Sequence, residues 1–320
     1  MPRNTPGGIR TFREQNDRAT MSAAGERKVH LNDATSAMLD ESIDERVLFT
    51  RSDHWIGYEA ANDALKAMAD LVKQPRTTTS PSLLLLGRAG NGKTTILQRF
   101  ASRFMPQTAP SGDIQLQLVH MTIPAAATEK DFWSELIVAC HSVRRVTDPA
   151  PFLKNQAYGI LASLKPRMLI GDEFNNLLIG NGANQRIVLA RIREITNTFG
   201  IHLIFAGTEE SSRASYNDPQ IDRRLTRFEL PRWKANMAFQ KLLSSMEAFV
   251  PLPEPSGLGE TEKAQFIFGR TDGTIGSISR FVKEAGRMAI EARRSSIDIE
   301  MLRRVRVDTP EERQKRALTL

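Results

Sequence analysis

The sequence predicts an α/β protein in which a parallel sheet with flanking helices is followed by a small all-α domain. Three observations support this fold class. Short apolar runs typical of buried strands alternate with helical segments, an order that favours a parallel sheet covered on both faces. A glycine-rich loop lies between the first of these runs and the next helical segment. After Leu230 the strand-like runs stop and helical segments continue.

The individual elements follow from hydrophobic spacing and from chain breakers. The helix predicted over Tyr58–Val72 places Ala, Leu and Met three and four residues apart, and a stretch rich in Thr and Pro over Gln74–Pro81 ends it. Strands are predicted at Ser82–Leu86, Gln115–Thr122, Met168–Ile170 and Ile201–Ala206, with helices between them at Thr94–Phe104, Glu129–Cys140 and Asn184–Thr198. Later helices are predicted at Lys234–Phe249, Thr261–Gly269, Ile275–Ala292 and Ile299–Val305.

The change from alternating elements to helices alone places a domain boundary near residue 231. We expect a mobile N-terminal arm with a short helix near Ala34–Glu45, because the first residues lack periodicity and contain several Pro and Gly. The expected division is an arm over residues 1–50, an α/β domain over 51–230, a helical domain over 231–306 and a C-terminal tail over 307–320.

The composition is that of a soluble globular protein, with 40% hydrophobic and 25% charged residues. Apolar runs such as Leu83–Leu86 are far too short to cross a bilayer, and the N-terminal region has no apolar stretch of signal-peptide length. The single cysteine, Cys140, cannot form an internal disulfide, so we expect a cytoplasmic protein without a membrane partner. The net charge of +7 is compatible with DNA or RNA as a partner, but many soluble proteins are mildly basic.

The glycine-rich loop matches the phosphate-loop pattern G-x-x-x-x-G-K-[ST] from Gly87 to Thr94. Its glycines let successive backbone N–H groups turn inward around a phosphate, and the following helix directs the positive end of its dipole there. Lys93 is predicted to reach the β- and γ-phosphates, and the Thr94 hydroxyl to coordinate Mg²⁺. The predicted nucleotide-binding residues of this loop are Gly87, Ala89, Gly90, Asn91, Gly92, Lys93, Thr94 and Thr95.

An acidic pair follows a later apolar strand, the position from which a phosphate-loop protein holds its metal. Asp172 is predicted to hold Mg²⁺ through water, and Glu173 to polarise the attacking water. Such a pair alone is more typical of a solvated turn, but the phosphate loop upstream favours the catalytic interpretation. The sequence has no Asn-Lys-x-Asp motif for reading guanine, so ATP is the expected nucleotide.

Four further residues are candidates for sensing the nucleotide. Thr208 follows the strand Ile201–Ala206, where a hydroxyl orients the attacking water or senses the γ-phosphate; an ordinary turn residue is the alternative. Arg223 and Arg224 are candidates to stabilise the transferring phosphoryl group in a neighbouring subunit, and the sequence does not choose between them. A solvated basic helix end is their alternative interpretation. Arg280 lies in a helix of the second domain that is positioned to fold over the nucleotide.

Together these features resemble the AAA+ ATPases, which combine a phosphate loop, an Asp-Glu pair, a polar strand end, arginines and a helical lid. More narrowly, the chain resembles the TniB family, the transposon-encoded ATPases related to TnsC. The resemblance covers residues 45 to 305 or so. It rests on the order and spacing of the segments Trp55–Tyr58, Leu84–Thr94, Gly171–Leu178, Phe205–Thr208, Phe228–Trp233 and Asp272–Gly276.

This resemblance implies a regulator of DNA transposition that binds ATP and Mg²⁺ and assembles as a ring or filament on double-stranded DNA. It implies a TniA-like transposase and a TniQ-like target-selection protein as partners, and hydrolysis that is slow or stimulated by a partner. Ile56 and Gly57 are implied to border the adenine. Asn175 stands where the family pattern favours a His before Asn176, so the local water-positioning network is not carried over.

Other interpretations stay open. One is an AAA+ ATPase of another system, such as an ExeA-like secretion ATPase or a replication loader, although no cell-wall-binding tail is visible. Another is a scaffold that binds ATP and scarcely hydrolyses it. Candidate DNA contacts are the loop Thr122–Lys130 and the pair Arg144–Arg145, with ordinary surface charge as the alternative.

Several large apolar residues are assigned to packing. Phe132 and Trp133 are expected in the hydrophobic core, and Cys140 is expected to be buried on a helix. Trp233, at the domain junction, is expected to anchor the helical domain against the α/β domain rather than to stack on a base.

Overall fold

The computed structural model describes residues 30–77, 80–104, 106–108 and 114–307. Its strands are β1 (Ser82–Leu86), β2 (Gln107–Thr108), β3 (Ile114–Gln115), β4 (Leu118–Thr122), β5 (Met168–Asp172), β6 (His202–Gly207) and β7 (Leu225–Glu229). In this described part of the chain, five strands form a parallel sheet in the order β4-β5-β6-β1-β7, and β2 pairs with β3 in a separate antiparallel ribbon. β1, β5 and β6 are buried along their whole lengths, as expected for central strands covered on both faces.

Thirteen α-helices occur among the described residues. They are α1 (Asp33–Ala37), α2 (Ile43–Arg51), α3 (Glu59–Lys73), α4 (Lys93–Ala101), α5 (Glu129–Ala139), α6 (Ala150–Leu164), α7 (Gly182–Phe199), α8 (Ser211–Tyr216), α9 (Pro219–Asp222), α10 (Met237–Glu247), α11 (Thr261–Arg270), α12 (Ile275–Glu291) and α13 (Ile299–Arg304). Short 3-10 helices cover Met38–Asp40 and Phe174–Leu178. Among the described residues, no helix is long and apolar enough to span a membrane.

Each face of the parallel sheet is covered by its own set of helices. On one face, α5, α6 and α7 bury a large apolar cluster, and Phe132 and Trp133 lie in it fully shielded from solvent. Cys140 is buried in the same cluster. On the other face, α3 and α4 pack Met68 and Phe100 against the sheet. The predicted packing roles of Phe132, Trp133 and Cys140 are therefore confirmed.

A separate apolar core forms in the helical region that follows β7. α10, α11, α12 and α13 share a buried cluster that includes Phe239, Leu243 and Phe281. Trp233 packs against this cluster, and its ring also meets the ring of Tyr58 edge-on at 5.2 Å between centroids. Because Tyr58 packs on the α/β core, Trp233 bridges the two regions as predicted. The predicted fold class, a parallel sheet with flanking helices followed by a helical region, is confirmed.

The structure differs from the prediction of an N-terminal arm over residues 1–50. Residues 1–29 lie outside the described residues, but α1 and α2 are helices packed on the helical region. The Arg46 guanidinium donates to Pro251 O at 2.7 Å, and Thr50 is buried where Gly286 of α12 leaves room for it. α2 has almost no amphipathic pattern and buries Thr50 rather than an apolar stripe, so hydrophobic spacing does not reveal it. Its capping box of Ser42 with Glu45 is the available sequence signal.

Further elements of the structure also differ from the prediction. α6 begins with Pro151 in its first turn, and its buried residues Leu153, Ala157 and Leu161 recur every four residues. β7 is an edge strand paired in parallel with β1. Only Leu225 of this strand is buried, so its polar composition does not predict a strand. The predicted strand Gln115–Thr122 is shorter, since the sheet pairing begins at Leu118.

Candidate nucleotide-binding cleft

A cleft of about 1110 Å³ lies between the α/β region and the helical region. Its floor is the phosphate loop at the carboxyl end of β1, where the topology of a parallel sheet places ligand sites. Predicted site residues that line the cleft are Ile56, Ala89, Gly90, Asn91, Gly92, Lys93, Thr94, Thr95, Glu173, Thr208 and Arg280. Lining residues that the sequence did not single out include Arg51, His54, Met246, Ser279, Lys283, Glu284 and Arg306.

The phosphate loop has the conformation that its glycines permit. Gly90 and Gly92 have positive φ values of 76° and 79°, which non-glycine residues adopt at a cost, and α4 begins directly after Gly92. The Lys93 ammonium donates to Gly87 O at 2.8 Å and to Arg88 O at 3.0 Å. Burial lowers the pKa of Lys93, while the carboxylates of Glu173 and Asp172 act in the opposite direction. The loop therefore folds around its own lysine.

Asp172 joins the end of β5 to the phosphate loop. The residue is 3% exposed, and its Oδ2 accepts a hydrogen bond from Thr94 Oγ1 at 2.7 Å. Oδ1 accepts from the backbone N–H of Glu173 at 2.8 Å. A hydroxyl and a carboxylate held side by side are the hard oxygen ligands that suit Mg²⁺, so the residues present fit the metal that the fold implies.

Glu173 enters the cleft from an unusual backbone conformation. Its φ of 54° lies in the left-handed region, which costs free energy for a residue with a side chain. The 3-10 helix that follows is tied to the neighbouring strand, because Asn176 Nδ2 donates to Ile123 O at 2.7 Å. The carboxylate of Glu173 thus faces the same cleft as Lys93.

Thr208 directly follows β6, the neighbour of the strand β5 that Glu173 follows, and both residues line the cleft. Its backbone N–H donates to Asn175 Oδ1 at 3.3 Å. Its hydroxyl oxygen is buried and has no hydrogen-bond partner among the described residues. Asn175, the departure from the expected family pattern, therefore contacts the strand end that carries Thr208.

The wall on the helical side combines α12 with the segment that joins α2 to α3. Arg280 lines the cleft, and its side chain is exposed. The Lys283 ammonium donates to Asp53 Oδ1 at 2.9 Å and to Arg51 O at 3.2 Å, which holds this segment on α12. Ile56 lines the cleft, whereas Gly57 is exposed and is not a lining residue.

A cluster of rings borders the same wall. His54 stacks on Phe249 at 4.8 Å between ring centroids, and its Nε2–H donates to Phe49 O at 2.8 Å. Tyr58 lines the cleft beside the phosphate loop, and burial raises the pKa of its hydroxyl to about 12. His54 and Tyr58 give this wall of the cleft a partly apolar surface.

Arg223 and Arg224 do not line the cleft of their own subunit. Arg224 Nη1 donates to Asn197 Oδ1 at 3.0 Å, and Arg223 is exposed at the end of α9. The nearby Arg227 is already paired with Asp222 at 2.5 Å. The structure thus brings the loop, Asp172, Glu173, Thr208 and Arg280 together, and it leaves Arg223 and Arg224 on a separate surface.

The candidate DNA contacts also lie away from the cleft. Residues 123–128 connect β4 to α5, and the loop continues into α5 through the capping box of Thr128 with Asp131. Arg145 is exposed in the connection between α5 and α6, and Arg144 is half-buried. Within the loop Ile123 and Ala127 are buried, whereas Thr122, Ala125, Ala126 and Thr128 are exposed.

Known proteins of solved structure share this architecture. The Aeropyrum pernix ORC2 protein in its ADPNP–ADP complexes has a TM-score of 0.57 at 16% identity, covering 80% of this chain and 70% of that chain. The Aeropyrum pernix ORC1 protein in complex with DNA has a TM-score of 0.57 at 16% identity, covering 84% and 69%. Cdc6p from Pyrobaculum aerophilum has a TM-score of 0.54 at 17% identity, covering 78% and 67%. At these identities the likeness shows the fold, which is that of AAA+ P-loop ATPases.

Sequence comparison defines the family more narrowly. No curated protein matches the chain. A family model described as "TniB: Bacterial TniB protein" matches residues 46–235, more than half of the 320-residue chain. This range begins in α2, contains the phosphate loop, Asp172, Glu173 and β7, and ends just before α10. The chain is therefore a member of the TniB family.

Proposed function

We propose that this protein is a Mg²⁺-dependent ATPase that regulates DNA transposition. One observation carries the ATPase part of the proposal: Thr94 Oγ1 lies 2.7 Å from Asp172 Oδ2 in a cleft that Lys93 and Glu173 also line. This juxtaposition unites the cation, the metal ligands and the general base that phosphoryl transfer requires. Membership of the TniB family supports the transposition part.

Each residue of the α/β wall has a distinct proposed role. The N–H groups of the loop and the Lys93 ammonium bind the β- and γ-phosphates, which requires Lys93 to leave Gly87 O and Arg88 O. Thr94 and Asp172 hold Mg²⁺, which neutralises charge on the phosphates when it is bound. Glu173 polarises the attacking water, and the unpaired Thr208 hydroxyl orients that water or contacts the γ-phosphate.

The positions of Arg223 and Arg224 support a proposed assembly. Both arginines lie outside the cleft of their own subunit, and Arg223 is exposed. A guanidinium from this surface is therefore available to the cleft of a neighbouring copy. We place the active assembly as a ring or filament in which each cleft is completed from the next subunit. The proposed functional units are the α/β domain over 51–230, the helical lid over 231–306, on which residues 30–50 pack, and the tail over 307–320.

The proposed nucleic-acid partner of this assembly is double-stranded DNA. The net charge of +7 supports a polyanionic partner, and a TniA-like transposase and a TniQ-like target-selection protein are the proposed protein partners. The loop 122–130 and the pair Arg144–Arg145 are the proposed phosphate contacts, which give affinity without sequence preference. Ile56 is proposed to border the adenine, and Arg280 to contact the nucleotide from the lid, whereas Gly57 lies outside the cleft lining and is left out of the proposed site.

One titration tests nucleotide and DNA binding together. Fluorescence anisotropy of a labelled random duplex, with Mg²⁺ and either ADPNP, ADP or no nucleotide, is expected to show tight binding with ADPNP only. The affinity for DNA is expected to fall steeply as the salt concentration rises, because the entropy gained by releasing counterions from the DNA becomes smaller. Arg145→Ala and Lys130→Ala are expected to reduce the salt dependence, with Lys73→Ala on α3 as a control. DNA binding that ignores both nucleotide and salt contradicts the proposal.

A second measurement separates the proposed assembly from simple DNA binding. Negative-stain images of the protein with ADPNP and duplex DNA are expected to show rings or filaments, and images without nucleotide are expected to show neither. Isolated particles under both conditions argue for an AAA+ ATPase of another system.

A further inference from the structure

The lid touches the phosphate loop through the first turn of α12. The backbone N–H of Gly276 donates to Gly90 O at 2.9 Å. A Cβ at position 276 would lie 2.7 Å from that oxygen, closer than real Cβ contacts, so this approach requires glycine. Ile275 of the same turn reaches the loop at Gly92, where a Cβ would lie 3.1 Å from Ile275 Cγ2. The lid is therefore seated directly on the loop.

This turn of α12 is fixed by its own polar side chains. Asp272 Oδ1 accepts hydrogen bonds from Thr274 N at 2.9 Å and from Thr274 Oγ1 at 2.7 Å, and it also accepts from Ser277 Oγ. Thr274 Oγ1 in turn accepts from Ser277 N at 3.3 Å and caps the helix. The Arg232 guanidinium donates to Asp272 O. Gly276 N–H is therefore a positioned donor rather than the end of a frayed helix.

The bond to Gly90 O constrains the peptide group that joins Gly90 to Asn91. A trans peptide is planar, and its C=O and N–H point in opposite directions. Gly90 O points outward to Gly276, so the N–H of Asn91 points into the loop, where it donates to Arg88 O at 3.1 Å. Asn91 is held from a second side, because its Nδ2 donates to Leu230 O at 2.8 Å. The lid therefore holds the Gly90 carbonyl of this peptide, and the segment after β7 holds Asn91 through its side chain.

We infer that Gly276 is a positioning residue of the phosphate site: its N–H holds the Gly90–Asn91 peptide with the Asn91 N–H on the inner side of the loop, where a bound phosphate replaces Arg88 O as the acceptor. The inference rests on the proposed function, that this loop binds a nucleotide. Nucleotide affinity then depends on α12 staying seated on the loop. By linkage, a bound nucleotide strengthens the seating of the lid to the same extent.

Calorimetric titration of the full chain with Mg²⁺-ADP and Mg²⁺-ADPNP tests the inference. Gly276→Ala is expected to weaken the binding of both nucleotides about tenfold, because the added methyl group breaks the hydrogen bond to Gly90 O and displaces the loop peptide. The loss is expected to be equal for the two nucleotides, since the affected peptide lies in the loop and not at the γ-phosphate. In turnover assays KM is expected to rise about tenfold while kcat at saturation stays within about twofold.

Gly269→Ala is the matched control. Gly269 lies on α11 with no atom within 4 Å of an added Cβ, so its substitution makes the same chemical change in a lid helix without meeting a neighbour. It is expected to leave both affinities within about twofold of the original protein. A loss in this variant equal to that of Gly276→Ala would overturn the inference, since the effect would then belong to the lid helices in general.

Asp272→Ala provides a second route if Gly276→Ala does not fold. It removes the acceptor that fixes the first turn of α12 and leaves position 276 unchanged, so both nucleotides are expected to bind several-fold more weakly. Wild-type affinity in a folded Gly276→Ala protein, or in Asp272→Ala where the first variant fails to fold, overturns the inference. Absence of nucleotide binding by the unmodified chain instead defeats the proposed function, and the inference with it.

Discussion

The two walls of the cleft are built from different kinds of contact. On the α/β wall, side chains carry the interactions: Lys93 bonds two loop carbonyls, and Thr94 bonds the buried carboxylate of Asp172. On the lid wall, the backbone N–H of Gly276 bonds the loop and Ile275 packs beside Gly92, while the neighbouring Arg280 is exposed. The α/β wall is thus equipped for chemistry, and the lid wall for adjusting it. Substitutions in the two walls should differ in both size and kind.

Lys93→Ala gives the largest expected effect on the α/β wall. It removes the buried ammonium of the phosphate loop, so ADPNP affinity is expected to fall by at least about a hundredfold, since charged hydrogen bonds to phosphate are the strong ones. Isothermal titration calorimetry measures this loss, with Lys66→Ala on α3 as a control for a lost positive charge. Unchanged affinity in Lys93→Ala would remove this loop from the nucleotide site.

Glu173→Gln separates binding from turnover within the same wall. The amide keeps the size of the side chain but cannot polarise water, so hydrolysis is expected to fall about a hundredfold or more while ADPNP affinity stays close to that of the original protein. A phosphate-release assay at saturating ATP, together with calorimetry, measures both. Hydrolysis at the original rate would exclude Glu173 as the water activator.

Arg223→Ala and Arg224→Ala test whether a second copy of the chain contributes an arginine to the cleft. Either change is expected to lower hydrolysis about tenfold or more with little loss of nucleotide binding by the isolated subunit. Mixing the inactive variant with Lys93→Ala subunits is expected to restore part of the activity, because their intact arginines complete the neighbouring sites. Arg213→Ala, an exposed arginine on α8, is the control. If mixing restores nothing for either arginine, the assignment in trans is wrong.

Glu194→Gln gives the smallest expected effect and concerns the stability of the α/β region. Burial acts to raise the pKa of Glu194, but hydrogen bonds from Lys154 and Arg191 lower it to about 2. A lowered folded-state pKa stabilises the protein above the ordinary value of 4.5, and this stabilisation is lost as the pH falls from there towards 2. The group is partly exposed, so the expected loss at pH 7 is below about 1 kcal/mol.

Thermal unfolding followed by circular dichroism measures this loss across a pH series. The melting temperature of Glu194→Gln is expected to lie below that of the original protein at pH 7 and to converge with it as the pH approaches 2. Glu262→Gln, exposed on α11, serves as the control. A difference that stays constant down to low pH would show that Glu194 acts through packing and not through its charge.

The local sequence was sufficient to predict the parts of the site that lie next to a regular element. The loop follows an apolar strand and opens a helix, so its pattern fixes the positions of Lys93 and Thr94. Asp172 was predictable for a related reason, because neighbouring parallel strands end at the same edge of the sheet. The same reasoning placed Thr208 at the tip of β6, next to Asn175.

Other parts of the cleft had no comparable local signal. The packing of α2 is not predictable from its sequence, because the helix buries a threonine and its arginine donates to a carbonyl more than 200 residues away. β7 is polar because it is an edge strand, and its pairing with β1 depends on the whole sheet. Lys283 faces the cleft because α12 packs on α2, a contact that no short motif records.

The sequence by itself determined the family, the fold class and the phosphate loop. A glycine with positive φ or a helix dipole acts within a few residues, so a short pattern specifies both conformation and chemistry. Only the tertiary structure decided that Gly276 meets Gly90 and that Arg223 and Arg224 lie outside their own cleft. Those contacts join residues far apart in the chain, and their geometry depends on packing summed over two apolar cores rather than on any local pattern.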